Sequence, residues 1–302
     1  METIILGIIT GLTAATSQSC SYLFSKRFIS SSGNSYQLLV VSHLIMGVFA
    51  AALLPFLLMH RPLPPLMNFG KAVILCNVYY LLAQCAFFLA LKQTDASRLA
   101  PLLGLKILFL AGISIIFLHN TFNGLQWLGV LLCLGGAVMS NWSGGSIPVK
   151  SAMLILVACC GFSLSDTYIK ILIDSLGYEN IFFGASMAGV VSYVFAGICS
   201  IPMLFIVPGI SFRQLKPAMP FSICWFVAML LLFSCFGLIG PVFGNIIQSS
   251  RGIISVIIGA IVAGYGFSTL ETRLNPGLLG RRIIAAALIS AAVILFILGG
   301  QH

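Results

Sequence analysis

Acidic side chains are nearly missing from this chain: Asp and Glu together number six in 302 residues, and charged residues of all kinds make up only 7%. With 60% hydrophobic residues against so little charge, the chain cannot clothe a water-soluble surface, and it belongs in a lipid bilayer. It lacks a glycine-rich phosphate loop closed by Lys and Ser or Thr, which excludes ATP hydrolysis of the Walker type within these residues. The four histidines (His43, His60, His119, His302) stand singly, and the nine cysteines show no metal-ligand spacing. Neither a nucleophile with its base nor a metal site is on offer, so a membrane-embedded enzyme is disfavoured and no cofactor is expected. Glu2 is the sole charge before Lys26, so the basic leader of a cleaved signal peptide is missing, and the first apolar segment is expected to remain as a helix. The net charge of +9 reads as loop Lys and Arg meeting anionic lipid head groups, not as a nucleic-acid surface.

What is present is a succession of apolar stretches of about 20 residues, the length that spans a hydrocarbon core. They fall at residues 3–24, 36–59, 72–91, 99–118, 124–142, 151–173, 181–206, 218–239, 244–266 and 277–299. The expected fold class is therefore all-α, a polytopic membrane protein of ten transmembrane helices. The chain also repeats itself. Ser21 to Lys26 has a counterpart 144 residues later in Ser165 to Lys170, and a shift of 145 places Asn77 on Ser222, Tyr80 on Trp225 and Lys106 on Arg251. These offsets divide the chain into a first five-helix repeat (1–142), a polar linker (143–150) and a second five-helix repeat (151–302). Five is odd, so the second unit enters the membrane from the opposite side, and the two halves are expected to be inverted repeats suited to alternating access.

Lys106 and Arg251 are the leading candidates for a site. A cation at mid-helix costs roughly 2.5–3.5 kcal/mol on insertion scales, and this chain carries two at equivalent places. With helices starting near Leu99 and Gly244, each lies about 11 Å in. Helices of opposite direction then bring the two cations about 8 Å apart along the normal of a core about 30 Å thick. One small anion or zwitterion could meet both, with Arg251 as a bidentate fork and Lys106 as a point charge. Asn77, Tyr80 and Gln84 form one polar stripe on the third helix, which must face protein or water. Trp225, Tyr22 and His43 complete the candidate substrate-binding set. Asp166 is the candidate for proton or cation coupling, with Lys170 four residues on as its expected ion-pair partner. The helix breakers Gly237, Gly240, Pro241 and Gly244, with Pro101 and Gly104 in the other half, are candidate hinges.

At Asn245-Ile-Ile-Gln-Ser-Ser-Arg251-Gly-Ile-Ile-Ser255-Val-Ile-Ile-Gly259 the chain resembles the ninth helix of ten-helix drug/metabolite transporter superfamily members, which carry two EamA-type repeats. Ala90-Leu91 followed by Ala96, Ala100 and Pro101 is similar to their junction of helices 3 and 4. The resemblance implies solute transport through a cavity among helices 1–4 and 6–9, with helices 5 and 10 outside, and basic residues on helices 4 and 9 touching substrate. The chain departs from the usual pattern after helix 4, where Leu118-His119-Asn120 stands in place of a Gly-Glu pair. The expected function is secondary active transport of a small polar or anionic metabolite (amino-acid-like, organic acid or phosphorylated), driven by a proton or ion gradient or by exchange. The alternative is a membrane-embedded enzyme, or a channel or sensor, with an anion-binding cavity. The expected partners are the small-molecule substrate and the lipid bilayer, in monomeric or homodimeric form. Minimal loops point to a bacterial inner membrane. Loop charges put both termini outside the cytoplasm, whereas the resemblance puts them inside.

Overall fold

The computed structural model describes residues 2–91, 103, 105–141, 148–251, 254, 257–258 and 276–299. Among these residues the chain forms ten α-helices: α1 (Glu2–Ser31), α2 (Ser35–His60), α3 (Leu66–Leu91), α4 (Lys106–Leu118), α5 (Gly124–Asn141), α6 (Val149–Ser175), α7 (Ile181–Ile206), α8 (Leu215–Ile239), α9 (Pro241–Gln248) and α10 (Pro276–Gly299). A short 3₁₀ turn, Phe212–Gln214, leads into α8. Six helical stretches are long and apolar enough to cross a membrane: those of α1, α2, α3, α6, α7 and residues 212–239. Much of their apolar surface points outward, as with Phe205 and Phe56, which suits hydrocarbon and not water. The protein is an integral membrane protein.

The helix ends follow local chemistry. Asn34 and Gln37 make a reciprocal capping box at the start of α2, and Asn180 caps α7 through the Phe183 N–H, so orphan amides are satisfied at both. α4 stops where His119 turns left-handed at φ 54, a place glycine usually fills. Asn120 holds this turn by donating to the Ser114 hydroxyl at 2.7 Å. α8 and α9 are separated at Gly240, φ 77, with Pro241 opening α9, where the missing N–H of proline is harmless. Pro241 and Gly240 thus mark a real break, as the sequence suggests. Pro101 and Gly104 lie outside the described residues.

The helices pack in four principal pairs: α1 on α8, α3 on α6, α2 on α7 and α5 on α10. Two further contacts, α4 on α6 and α9 on α1, complete the centre. Numbering the second five helices as copies of the first, these six pairings exchange among themselves or into themselves, whereas α7 packs on α8 more extensively than α2 does on α3 among the described residues. Two hydrogen bonds repeat this at atomic level. Ser17 Oγ donates to the Cys224 carbonyl at 2.9 Å, and Ser165 Oγ donates to the Cys76 carbonyl at 2.8 Å. Ser17 and Ser165 are 148 residues apart, and so are Cys76 and Cys224. These two bonds match at 148, one helical turn from the 144 that aligns Ser21 with Ser165. The slip is one helical turn, which a sequence of small and apolar residues hardly registers. The side chain of Lys26, the other anchor of that alignment, lies outside the described set.

Close approach is made by small residues, as in other membrane helix pairs. α2 and α7 meet at Gly47 and Gly197, and a Cβ built on Gly47 would stand 2.7 Å from the Gly197 Cα. Backbone cannot yield there as a flexible side chain would. Gly47→Val is therefore expected to lower stability by about 1–3 kcal/mol, read as a fall in the thermal midpoint of purified protein in detergent. Gly135→Ala, where nothing lies within 4 Å of the added carbon, should leave the midpoint unchanged or slightly raised.

Candidate functional site

Lys106 opens α4 beside α6, and its ammonium meets Asp166 Oδ2 at 2.6 Å. The same oxygen accepts from Asn245 Nδ2 of α9 at 2.7 Å. One carboxylate oxygen thus joins helices 4, 6 and 9. The side chains of Lys106 and Asp166 are 24% and 11% exposed. This corrects the expected pairing of Asp166 with Lys170. Lys170 instead reaches one turn toward the end of α6 and pairs with Asp174 at 2.6 Å, where a half-exposed carboxylate is cheaper to keep charged. Asp166 turns inward because a cation from another helix needs it more.

Arg251 occupies the corresponding place in the second half. Its Nη1 donates to Gln18 Oε1 of α1 at 2.9 Å, and its guanidinium lies 5.6 Å from the Tyr22 ring. Gln18 and Asp166 are 148 residues apart, so the two cations meet equivalent positions on the first helix of the opposite half. A second pair of bonds follows the 144 offset instead: Ser19 Oγ donates to the Arg251 carbonyl at 3.2 Å, and Ser163 Oγ to the Lys106 carbonyl at 2.9 Å. The partners differ in kind. Lys106 faces a carboxylate and is neutralised; Arg251 faces a neutral amide and keeps its charge. Among the described residues, no carboxylate pairs with Arg251. α9 begins at Pro241, earlier than the hydropathy suggests, so Arg251 lies about 15 Å from the helix start, deeper than expected. α4 as described begins at Lys106 itself, and the expected depth of Lys106, reckoned from a helix start near Leu99, falls on residues outside the described ones.

An aromatic band runs from one cation to the other. Tyr22, beneath Arg251, sets its edge on Trp225 at 6.1 Å between centroids. Trp225 Nε1 donates to the Tyr193 hydroxyl at 3.2 Å, and Tyr193 stacks on His43 at 6.4 Å. His43 adjoins Tyr80 at 5.9 Å, Tyr80 adjoins Phe162 at 6.1 Å, and Phe162 lies 5.9 Å from the Lys106 ammonium. Six helices contribute: α1, α8, α7, α2, α3 and α6 in turn. His43, Asn77, Tyr80, Ser165 and Tyr193 also line one cavity, with about 370 Å³ of empty space including the part open to solvent. Its enclosed volume is about 40 Å³, room for water and well short of a metabolite. Within it, Asn77 Nδ2 donates to Ser192 Oγ at 3.0 Å and Gln84 Nε2 to the Tyr80 hydroxyl at 3.0 Å. His43 Nδ1 is 2.8 Å from the Leu39 carbonyl; a carbonyl only accepts, so in the neutral ring the proton sits on Nδ1 and Nε2 remains an acceptor.

The sequence-derived set is thus largely gathered: Lys106, Asp166, Arg251, Tyr22, Trp225, His43, Tyr80, Asn77 and Gln84 are linked through direct contacts, while Lys170 stands apart with Asp174. Gln18, Phe162, Tyr193 and Asn245 belong to the same assembly and were not singled out from sequence. The signal for two of them lies in the repeat. Gln18 is the mate of Asp166 at 148, and Tyr193 the mate of His43 at 150, the separation that also relates Gly47 and Gly197.

Residues 5–142 match the EamA-like transporter family. An uncharacterized transporter of Sinorhizobium sp., from the cobO 3' region, is 43% identical over 54 residues, which are 18% of this chain and 38% of that relative. The match thus spans well under half the length of that curated relative. A solved structure, described only as the crystal structure of a protein, superposes with a TM-score of 0.72 over 98% of this chain and 99% of its own, at 14% identity. That likeness speaks to the fold alone.

Removing Asp166 strands Lys106. Asp166→Leu is expected to destabilise the protein by about 3 kcal/mol, the lower end for a lone buried charge because the pair keeps some exposure. The double variant Lys106→Met with Asp166→Leu should recover most of that loss. Thermal midpoints of the two variants in one detergent check the prediction, and equal losses would deny the coupling.

Proposed function

Because residues 5–142 form an EamA-like transporter domain, we propose that the chain is a secondary transporter that carries a small anionic or zwitterionic metabolite by alternating access. The observation that carries this reading is the pair of pseudo-equivalent cations joined by one aromatic band. A solute held at Arg251 can move along flat amphipathic rings toward Lys106 without crossing bare hydrocarbon. The exchangeable helix pairings and the twinned Ser17 and Ser165 hydrogen bonds support a duplicated architecture of ten membrane crossings, residues 1–142 and 151–302 about a short linker, with the copies inserted in opposite senses. In that architecture α5 and α10, which pack chiefly on each other, are the outer scaffold.

Charge narrows the solute. Lys106, Asp166 and Arg251 sum to one positive charge, and their remaining neighbours Gln18 and Asn245 are neutral. A single carboxylate balances this site; a dianionic phosphate overfills it. Substrate contacts are assigned to Arg251, Tyr22, Trp225, His43, Tyr80, Asn77 and Gln84, with Lys106 joining when it is freed. Freeing it is the role of Asp166. Protonation of that carboxyl cancels its attraction for Lys106 and hands the cavity a second cation, so a proton and an anion favour each other's binding. This makes proton coupling the expected energy source, and no cofactor enters. The similar Sinorhizobium transporter supports a bacterial inner membrane.

Proteoliposome counterflow with labelled monocarboxylates, amino acids and phosphate esters tests the proposal. Exchange of a preloaded solute is expected of a carrier and not of an enzyme or sensor. Arg251→Ala should weaken solute affinity by about ten- to a hundredfold, the worth of a charged hydrogen bond at roughly 1.5–3 kcal/mol. Undiminished exchange by a normally folded Arg251→Ala protein would remove that residue from the site.

A further inference from the structure

Gln248 is buried to 8% exposure, and both its amide nitrogen and its amide oxygen lack any hydrogen-bond partner. Burying an amide with neither end satisfied is unfavourable, and native proteins seldom do it without a reason. The fold itself does not require an amide here. Gln248 stands three residues before Arg251, and the residue three before Lys106 is Leu103, packed in an apolar cluster with Ala90, Ile155 and Cys159. The duplicate half therefore fills the equivalent place with a hydrocarbon side chain.

Position gives the amide a purpose. On α9 and the turn that follows, Asn245, Gln248 and Arg251 succeed one another at intervals of three residues. Asn245 reaches α6 through Asp166, and Arg251 reaches α1 through Gln18. At 3.6 residues per turn, each step of three falls about 60° short of a full turn, so Gln248 projects between the direction of α6 and that of α1. Residues three apart on a helix face have Cβ atoms about 5–6 Å from each other. A small solute whose anion rests on Arg251 then has its next atoms at the Gln248 amide.

We propose that Gln248 is the specificity-determining residue of the transport site and that it reads a hydroxyl or ammonium group adjacent to the solute's carboxylate. The carboxamide suits that task because it offers a donor and an acceptor together: a hydroxyl uses both, and an ammonium donates to Oε1. A carboxylate with a bare alkyl neighbour leaves the amide unpaired and is rejected. Sites built to bond a polar substrate group discriminate strongly against analogues without it. Neither amide atom touches solvent in this structure, so solute reaches Gln248 only when the helices around α9 part. This assignment rests on the reading of Arg251 as the residue that holds the anion.

The experiment compares lactate, alanine and propionate, three solutes of equal carbon count, by ligand-induced thermal shift on the purified full-length protein and on Gln248→Leu, Gln248→Met and Arg251→Ala. The wild type should bind lactate or alanine at least tenfold more tightly than propionate. Gln248→Leu, which copies the twin position, should shrink that ratio to under threefold while leaving propionate affinity in place, and should raise the ligand-free midpoint by about 2 °C or more. Gln248→Met should behave alike. Absence of the preference in the wild type, persistence of it in both variants, or a fall in the ligand-free midpoint of both would overturn the assignment. Arg251→Ala separates the two levels. If it abolishes binding of all three solutes while the Gln248 variants change nothing, only the role of Gln248 fails; if binding survives without Arg251, the site reading beneath it fails as well.

Discussion

Two cations inside an apolar body must be answered by something, and how each is answered organises this protein. Lys106 meets Asp166 at 2.6 Å, a pair whose attraction grows as water is excluded and whose separation leaves a charge that the surroundings cannot solvate. Arg251 meets the oxygen of Gln18 and the face of Tyr22, which orient the guanidinium without cancelling it. Because both answers come from the first helix of the opposite half, the cations hold the halves against each other. The serine bonds to the Lys106 and Arg251 carbonyls do the same for the backbone.

Symmetry and its breach divide the work between fold and chemistry. Where the copies agree, the residues are small or apolar: Gly47 against Gly197 lets α2 and α7 touch along their backbones, and Ser17 and Ser165 make the same bond to the same kind of carbonyl. Where they differ, the residues are polar and central. Gln18 stands against Asp166, Tyr193 against His43, Gln248 against Leu103. Under the proposed duplication, agreement in packing serves the scaffold, and difference at the centre serves a site for one asymmetric solute.

Much of this was legible in the sequence, for identifiable reasons. Composition and the length of apolar runs report the bilayer directly, since hydrocarbon tolerates little else. Lys106, Arg251 and Asp166 could be read because a charge in such a run is conspicuous. What escaped was whatever looked ordinary. Gln18 and Asn245 are uncharged amides, and Phe162 and Tyr193 are aromatics among many, so only spatial neighbours mark them. The partner of Asp166 also escaped: Lys170 is near in sequence on one helix face, yet spacing along a helix says nothing about a cation arriving from α4. The offset of 144 read from Ser21 and Ser165 fits the Ser19 and Ser163 bonds but not those of Ser17 and Ser165, and the latter spacing of 148, which also separates Gln18 from Asp166, had no mark in the sequence.

The irregular stretch around α9 connects these local facts to one carboxyl. Gly240 turns the chain at φ 77 before Pro241, and Ser249 and Ser250 form a turn after Gln248 before helix resumes at Arg251. α9 is therefore set off from α8 at Gly240, while the backbone after it stays hydrogen-bonded, the Ser249 N–H donating to the Asn245 carbonyl and the Ser250 N–H to the Ile247 carbonyl. Asn245 shares the Asp166 oxygen with Lys106, so the charge on one carboxyl is felt at once by α4, α6 and α9. Neutralising that oxygen weakens both bonds together, since an ionised acceptor binds its donors more strongly than a neutral one. Under the proposed coupling, protonation of Asp166 would act on both contacts of that oxygen, the Lys106 ammonium of α4 and the Asn245 amide of α9.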